Sequence, residues 1–204
     1  MELNAKSHIF SHRGIWHNDI PNSSSAINKS INLGFSVEID IREQNGEIVI
    51  SHDLALNKSV PLFMDFFPNS TRFAINLKSD GLIPLINRNS LEQSDYFFFD
   101  GSIPEILKYK HEGFKTAVRL SEYEQQVPWE SSIIWLDSFH SDWWLNTKIL
   151  DSYSEKSEIV IVSPELHGRN PKKVWENIAS KIRSGNEKLS ICTDFPEEFQ
   201  KLLL

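Results

Sequence analysis

Short apolar runs rich in β-favouring residues recur along the chain at 7–11, 35–41, 72–77, 95–99, 114–118, 133–136, 159–162 and 189–192, predicting eight strands. Segments with helical spacing lie between most of them, at 24–33, 82–91, 104–112, 144–153 and 171–184. Pro104 and Pro171 stand at the start of two of these, where a missing N–H costs little. Gly34 and Gly113 follow two others, placed to take the left-handed conformation that ends a helix before a strand. Strands alternating with helices in this way predict a (β/α)8 TIM barrel rather than an open sheet. At 204 residues the chain is shorter than the ~250 typical of that fold, so its loops are expected to be trimmed. Pro128 interrupts the helical stretch at 120–126 and no helical pattern follows Asp53, so the barrel is expected to be partly degenerate. No repeat, low-complexity tract or linker breaks the rhythm, and residues 1–204 are read as one domain.

Polar residues gather where these strands end. The first ends in Ser11-His12-Arg13-Gly14, the second carries Glu38-Ile39-Asp40, and the third ends in Asn76-Leu77-Lys78. In a barrel those C-terminal strand ends form the catalytic face. Glu38 and Asp40 are two apart on a strand and therefore share one face. Two adjacent carboxylates repel, and a hard divalent ion, Mg or Ca, removes that penalty. A pair of rim carboxylates bonded to lysine or backbone amides satisfies the same pattern without a metal. After Arg42 the Asn45-Gly46 dipeptide between apolar runs signals a hairpin whose return strand, Ile48-Val49-Ile50, delivers Ser51-His52-Asp53 back toward the carboxylates. Two histidines, a cation and Arg13 make up the acid, base and charge stabiliser that phosphodiester cleavage needs. His8, His17, His111, His140 and His167 lack such company and are read as structural.

Composition narrows the field. Forty percent hydrophobic and 24% charged residues describe a folding globular chain, not a disordered one. A net charge of -7 without a basic cluster argues against a nucleic-acid partner, yet allows an anionic phosphodiester to be focused by a metal and a few cations. Cys192 is the only cysteine, which excludes a disulfide framework. It reads as a small buried hydrophobe. The opening run MELNAKSHIF lacks the apolar stretch of a signal peptide, and no run is long enough to span a bilayer, so a cytoplasmic protein is expected.

The motifs Ser11-His12-Arg13-Gly14, Pro21-Asn22, Glu38-Ile39-Asp40-Ile41, Gly46, Ser51-His52-Asp53 and Cys192-Thr193-Asp194-Phe195-Pro196 together resemble the glycerophosphodiester phosphodiesterase family. The resemblance brackets the chain, strongly over the first fifty-odd residues and loosely in the middle. It implies a TIM barrel that uses a divalent ion to split a glycerophosphodiester into glycerol phosphate and an alcohol. It makes His12 and His52 the acid-base pair, Glu38 and Asp40 metal ligands, and Arg13 and Lys78 phosphate contacts. The chain departs from the family pattern in three places. Pro21-Asn22-Ser23-Ser24 lacks an acidic residue, Asn76 stands where a third metal-binding glutamate is usual, and no subdomain is inserted after Asp53. An amide oxygen at Asn76 can ligate Mg or Ca but brings no charge.

Asp137 or Glu165, near the ends of the sixth and seventh strands, are candidates to replace that charge, or to hold Lys78 or Arg169 in a salt bridge. A cleft without a covering subdomain suits a bulky or polymeric phosphodiester from a glycan or lipid. Trp16, Trp143 and Trp144 are candidates for a stacking wall at its mouth or for packing against the barrel. Phosphoglycerol transfer, and a barrel that binds a phosphorylated ligand without turnover, remain alternatives to hydrolysis.

Overall fold

The protein is described by a computed structural model over residues 5–55 and 59–204. The first four residues of the opening run therefore lie outside the described part, as do three residues of the connection after Asp53. Contacts divide the chain into two units, Ser11–Thr116 and Met1–Phe10 with Ala117–Leu204. The strand Ile9–His12 (β1) contributes its last two residues to the first unit.

In the Ser11–Thr116 unit, helix α1 (Ser24–Leu33) starts where the Ser23 hydroxyl accepts from the Ala26 N–H and stops at Gly34, which takes φ 80°. That start and that stop are the ones the sequence signals. Strand β2 (Ser36–Gln44) turns through Asn45 and Gly46, both with positive φ, into the antiparallel β3 (Glu47–Ile50). Strand β4 (Phe73–Leu77) pairs parallel with β2 and places Asn76 beside Asp40. The expected helix at 82–91 is instead a single 3-10 turn, Ile83–Leu85, and a short α2 (Arg88–Glu92). Pro84 sits in that turn, and Ile86 leaves it with extended backbone, so the two pieces cannot join. Strand β5 (Tyr96–Phe99) lies parallel to β4 with Phe97, Phe98 and Phe99 wholly buried. Phe98 packs on Tyr109 of α3 (Ile103–His111) at 4.7 Å between ring centroids.

The other unit carries a parallel set: β6 (Val118–Leu120), β7 (Ile133–Leu136), β8 (Glu158–Val162) and β9 (Leu189–Thr193). Strand β6 begins four residues later than the pattern at 114–118 predicts; Thr116 forms an isolated bridge to Phe98 outside the named strands. Helix α4 (Ile149–Ser154) also starts late, because turns closed by Leu145 N–H to Asp142 and Thr147 N–H to Trp144 occupy the segment before it. Helix α5 (Lys172–Arg183) buries Val174, Trp175, Ile178, Ala179 and Ile182, the three-and-four spacing of an amphipathic helix. Helix α6 (Pro196–Leu203), unanticipated, packs Phe199 edge-on against Trp175 at 5.6 Å. Among the described residues no helix is long and apolar enough to cross a membrane.

Eight parallel strands in chain order, interleaved with helices, are the elements of a (β/α)8 barrel, in which the connections after β3 and β6 lack a full helix.

Candidate active site

Every strand end of the Ser11–Thr116 unit that the sequence marks as polar contributes to one cluster. Strand β1 hands over directly to a tight loop in which Arg13 takes φ 59° and Gly14 φ 82°. A Cβ on Gly14 would lie 2.6 Å from the Ala26 carbonyl carbon of α1, so only glycine lets the loop press this close. The Arg13 N–H donates to the Glu38 carbonyl at 3.0 Å and to its carboxylate at 3.2 Å. This fixes His12 beside Glu38, with 3.9 Å between Nε2 and Oε2.

Glu38 and Asp40 are both buried, at 1% and 0% exposure. Burial, reinforced by the Asp40 charge, pushes the Glu38 carboxyl up to about 7 against the counter-pull of His12, Arg13 and Lys78. Asp40 is ringed by cations: Arg13 Nε lies 2.8 Å from Oδ2 and Lys78 Nζ 3.3 Å from Oδ1. Asn22, buried and held at φ 64°, donates its amide to Asp40 Oδ2 at 2.8 Å and accepts from the Asp40 N–H at 3.3 Å. Sequence reasoning noted Asn22 only as part of a motif that had lost an acid. Its clamp on Asp40 depends on a left-handed turn that a Pro-Asn pair hints at but does not specify.

The hairpin delivers His52 as predicted: Ser51 N–H bonds the Asp40 carbonyl at 3.0 Å, and Arg42 donates to the His52 carbonyl at 3.0 Å. His52 Nδ1 lies 2.8 Å from Asp53 Oδ1, and that hydrogen bond holds the exposed Asp53 carboxyl below its usual range. His52, Arg13 and Asn22 line one cleft of about 610 Å³.

The donor set fits a hard cation. Asn76 Oδ1 is a buried oxygen without a hydrogen-bond donor, the neighbouring Asp40 Oδ1 faces the Lys78 ammonium, and Glu38 adds a second carboxylate. Among the described residues no group of three or more His, Cys, Asp or Glu side chains is placed to hold a metal ion, which leaves the Asn76 amide oxygen as the candidate third ligand.

Asp137 and Glu165 belong to the other unit and are engaged there. Asp137 Oδ1 faces His167 Nε2 at 2.7 Å and also accepts from the Ser138 N–H. Glu165 accepts from Ser163, from Thr193 and from the Asp194 N–H at 3.2 Å, while burial raises its carboxyl against those bonds. The salt-bridge roles expected of these two fall to other carboxylates, Lys78 pairing with Asp40 and Arg169 with Asp142. Trp144 is buried, with its indole N–H on Ser138 Oγ at 2.7 Å, and therefore packs instead of forming a stacking wall. Trp16 and Trp143 are half-buried and donate to the carbonyls of His12 and Asp137.

No family model matches the chain, and no curated protein sequence matches it. Two solved structures resemble it along nearly its full length. One is a glycerophosphodiester phosphodiesterase from Agrobacterium tumefaciens strain C58, at 18% identity and a TM-score of 0.66. The other is a glycerophosphodiester phosphodiesterase from Thermotoga maritima, at 19% identity and a TM-score of 0.69. Each alignment covers 96% of this chain and 98% of the other. The likeness shows the fold, a (β/α)8 barrel of the kind those enzymes have.

Proposed function

We propose that the chain is a divalent-cation-dependent phosphodiesterase that hydrolyses a glycerophosphodiester to glycerol phosphate and an alcohol. The observation that carries this reading is the convergence of His12, Arg13 and Lys78 on the buried Glu38–Asp40 pair, with the neighbouring Asn76 Oδ1 left without a hydrogen-bond donor. The likeness in fold to two glycerophosphodiester phosphodiesterases supports it.

Glu38, Asp40 and Asn76 would hold Mg or Ca, and the bound ion supplies positive charge against the phosphoryl oxygens. Arg13 and Lys78, already drawn to Asp40, add the cationic contacts that orient the phosphodiester. His12 takes the proton of the attacking oxygen, and Glu38 faces the positive charge that the imidazole then acquires. His52, its Nδ1 oriented by Asp53, gives a proton from Nε2 to the departing alcohol oxygen.

The test is phosphorus NMR of glycerophosphodiesters incubated with the protein, with Mg or Ca and with EDTA. Release of glycerol phosphate that EDTA abolishes is the expected result. Turnover unaffected by EDTA, or full turnover by His12→Ala, refutes the assignment.

A further inference from the structure

The cleft beside His52 is wider and more aliphatic than a phosphoryl group requires. At about 610 Å³ it falls within the ~300–1,000 Å³ of sites that enclose whole organic ligands. Its rim carries Ile20 at 72% exposure and Leu54 at 67%, the two most exposed large aliphatic side chains of the described Ser11–Thr116 unit. Scattered exposed hydrophobics need no explanation, but two that face one cleft beside a proton-transferring histidine do.

Both are presented on fixed backbone. Ile20 rides a turn closed by Asn22 N–H to Arg13 at 2.9 Å and Ser23 N–H to Ile20 at 3.1 Å, and Asn22 is anchored on Asp40. Asp19, next to Ile20, is held by Ser25 and accepts the Ile20 N–H at 2.7 Å. Opposite, the carbonyl of Asp53 is tied to the Ser51 hydroxyl at 2.8 Å, and Ile50 N–H bonds Pro61 at 2.8 Å, which sets the wall that Leu54 and Val60 extend. Among the described residues that line it, Arg13, His52 and Asp53 are the charged ones, the remainder are aliphatic side chains, four serines and Asn22, and none is an aromatic ring that could hold a quaternary ammonium group.

We infer that this cleft is the subsite for the departing alcohol and that it takes an alcohol with an aliphatic chain, which Ile20 and Leu54 cover. The inference rests on the phosphodiesterase reading for its chemistry. The oxygen of water bonds to phosphorus, the bond from phosphorus to the alkyl oxygen breaks, and the alkyl oxygen leaves with the proton from His52 while His12 keeps the proton lost by water.

Binding of glycerol phosphate alkyl esters, ethyl to hexyl, measured by calorimetry in the presence of Ca, reads the cleft, and phosphorus NMR on the same esters reads turnover. A methylene half removed from water strengthens binding about twofold, so the hexyl ester should bind roughly 16-fold more tightly than the ethyl ester. Ile20→Ser combined with Leu54→Ser should flatten that dependence of binding on chain length. Ethyl and hexyl esters binding within twofold of one another, a dependence that survives in the double variant, or a glycerol ester that binds as tightly as the hexyl one, each overturn the inference. Absence of turnover with all esters would refute the phosphodiesterase reading, and the affinity series would still decide the cleft.

Discussion

Replacing Glu38 by glutamine exposes the cost of keeping a second carboxylate beside Asp40. Glu38 is buried and its carboxyl sits at about 7 instead of 4.5, first because of burial and then because of Asp40. A raised carboxyl means that the folded protein holds the proton more tightly than the unfolded chain does. Its contribution is complete below about pH 4.5 and is lost as the pH rises through about 7. The rise corresponds to about 3 kcal/mol, a large share of the stability of a domain of this size. Glutamine mimics the protonated side chain at every pH. Urea unfolding in EDTA, run at steps from pH 4.5 to 8, should therefore show the wild type losing up to about 3 kcal/mol relative to Glu38→Gln across that range. Adding excess Ca or Mg at pH 8 should return most of that loss to the wild type and little to the variant. Parallel stability curves for the two proteins in EDTA, or a wild type that gains on the variant as the pH rises, would refute the account of this pair as a charge-starved cation site.

His12→Ala and His52→Ala should each lower turnover of a glycerophosphodiester by about 10²–10⁴-fold with an unchanged circular dichroism spectrum, because each is asked to move one proton. Asn76→Glu restores a third carboxylate beside Asp40 and should tighten Ca binding about tenfold by calorimetry, since ligand charge sets affinity in oxygen sites. Gly14→Ala should cost about 2–4 kcal/mol in thermal unfolding, because φ 82° and a Cβ 2.6 Å from the α1 backbone cannot both be relieved. A melting temperature within a degree of wild type would show that the loop is less tightly pressed than described.

The strand pattern was legible because parallel strands buried on both faces read as unbroken apolar runs, and Phe97-Phe98-Phe99 and Ile133–Leu136 stand where the pattern places them. The Asn45-Gly46 hairpin and the two ends of α1 were legible for a different reason: each is fixed by local turn or capping chemistry. Segment 82–91 misled because its apolar spacing suits a helix while Ile86 and Asn87 take extended backbone and divide it. Helix α6 did carry a signal, proline at its first position with Glu197 and Glu198 behind it, that the strand-centred reading passed over. In the site, same-face spacing on β2 and the hairpin bring Glu38, Asp40 and His52 into the cluster. The clamp from Asn22 and the identity of the two cations on Asp40 were hidden, because they join residues 18 to 38 positions apart through a turn and a strand register that spacing alone does not encode.

The Asn22 clamp separates two jobs that share a few ångströms. One side of this residue pins the charge pattern at Asp40, and the turn that leads into it carries Ile20 to the cleft. Residues 17–21 thus form a largely exposed span between Ile15 and Trp16, which are tied to α1 and to His12, and Asn22, which is tied to Asp40. Under the proposed function, substitutions in that span would change the alcohol accepted while leaving the partners of Asp40 in place.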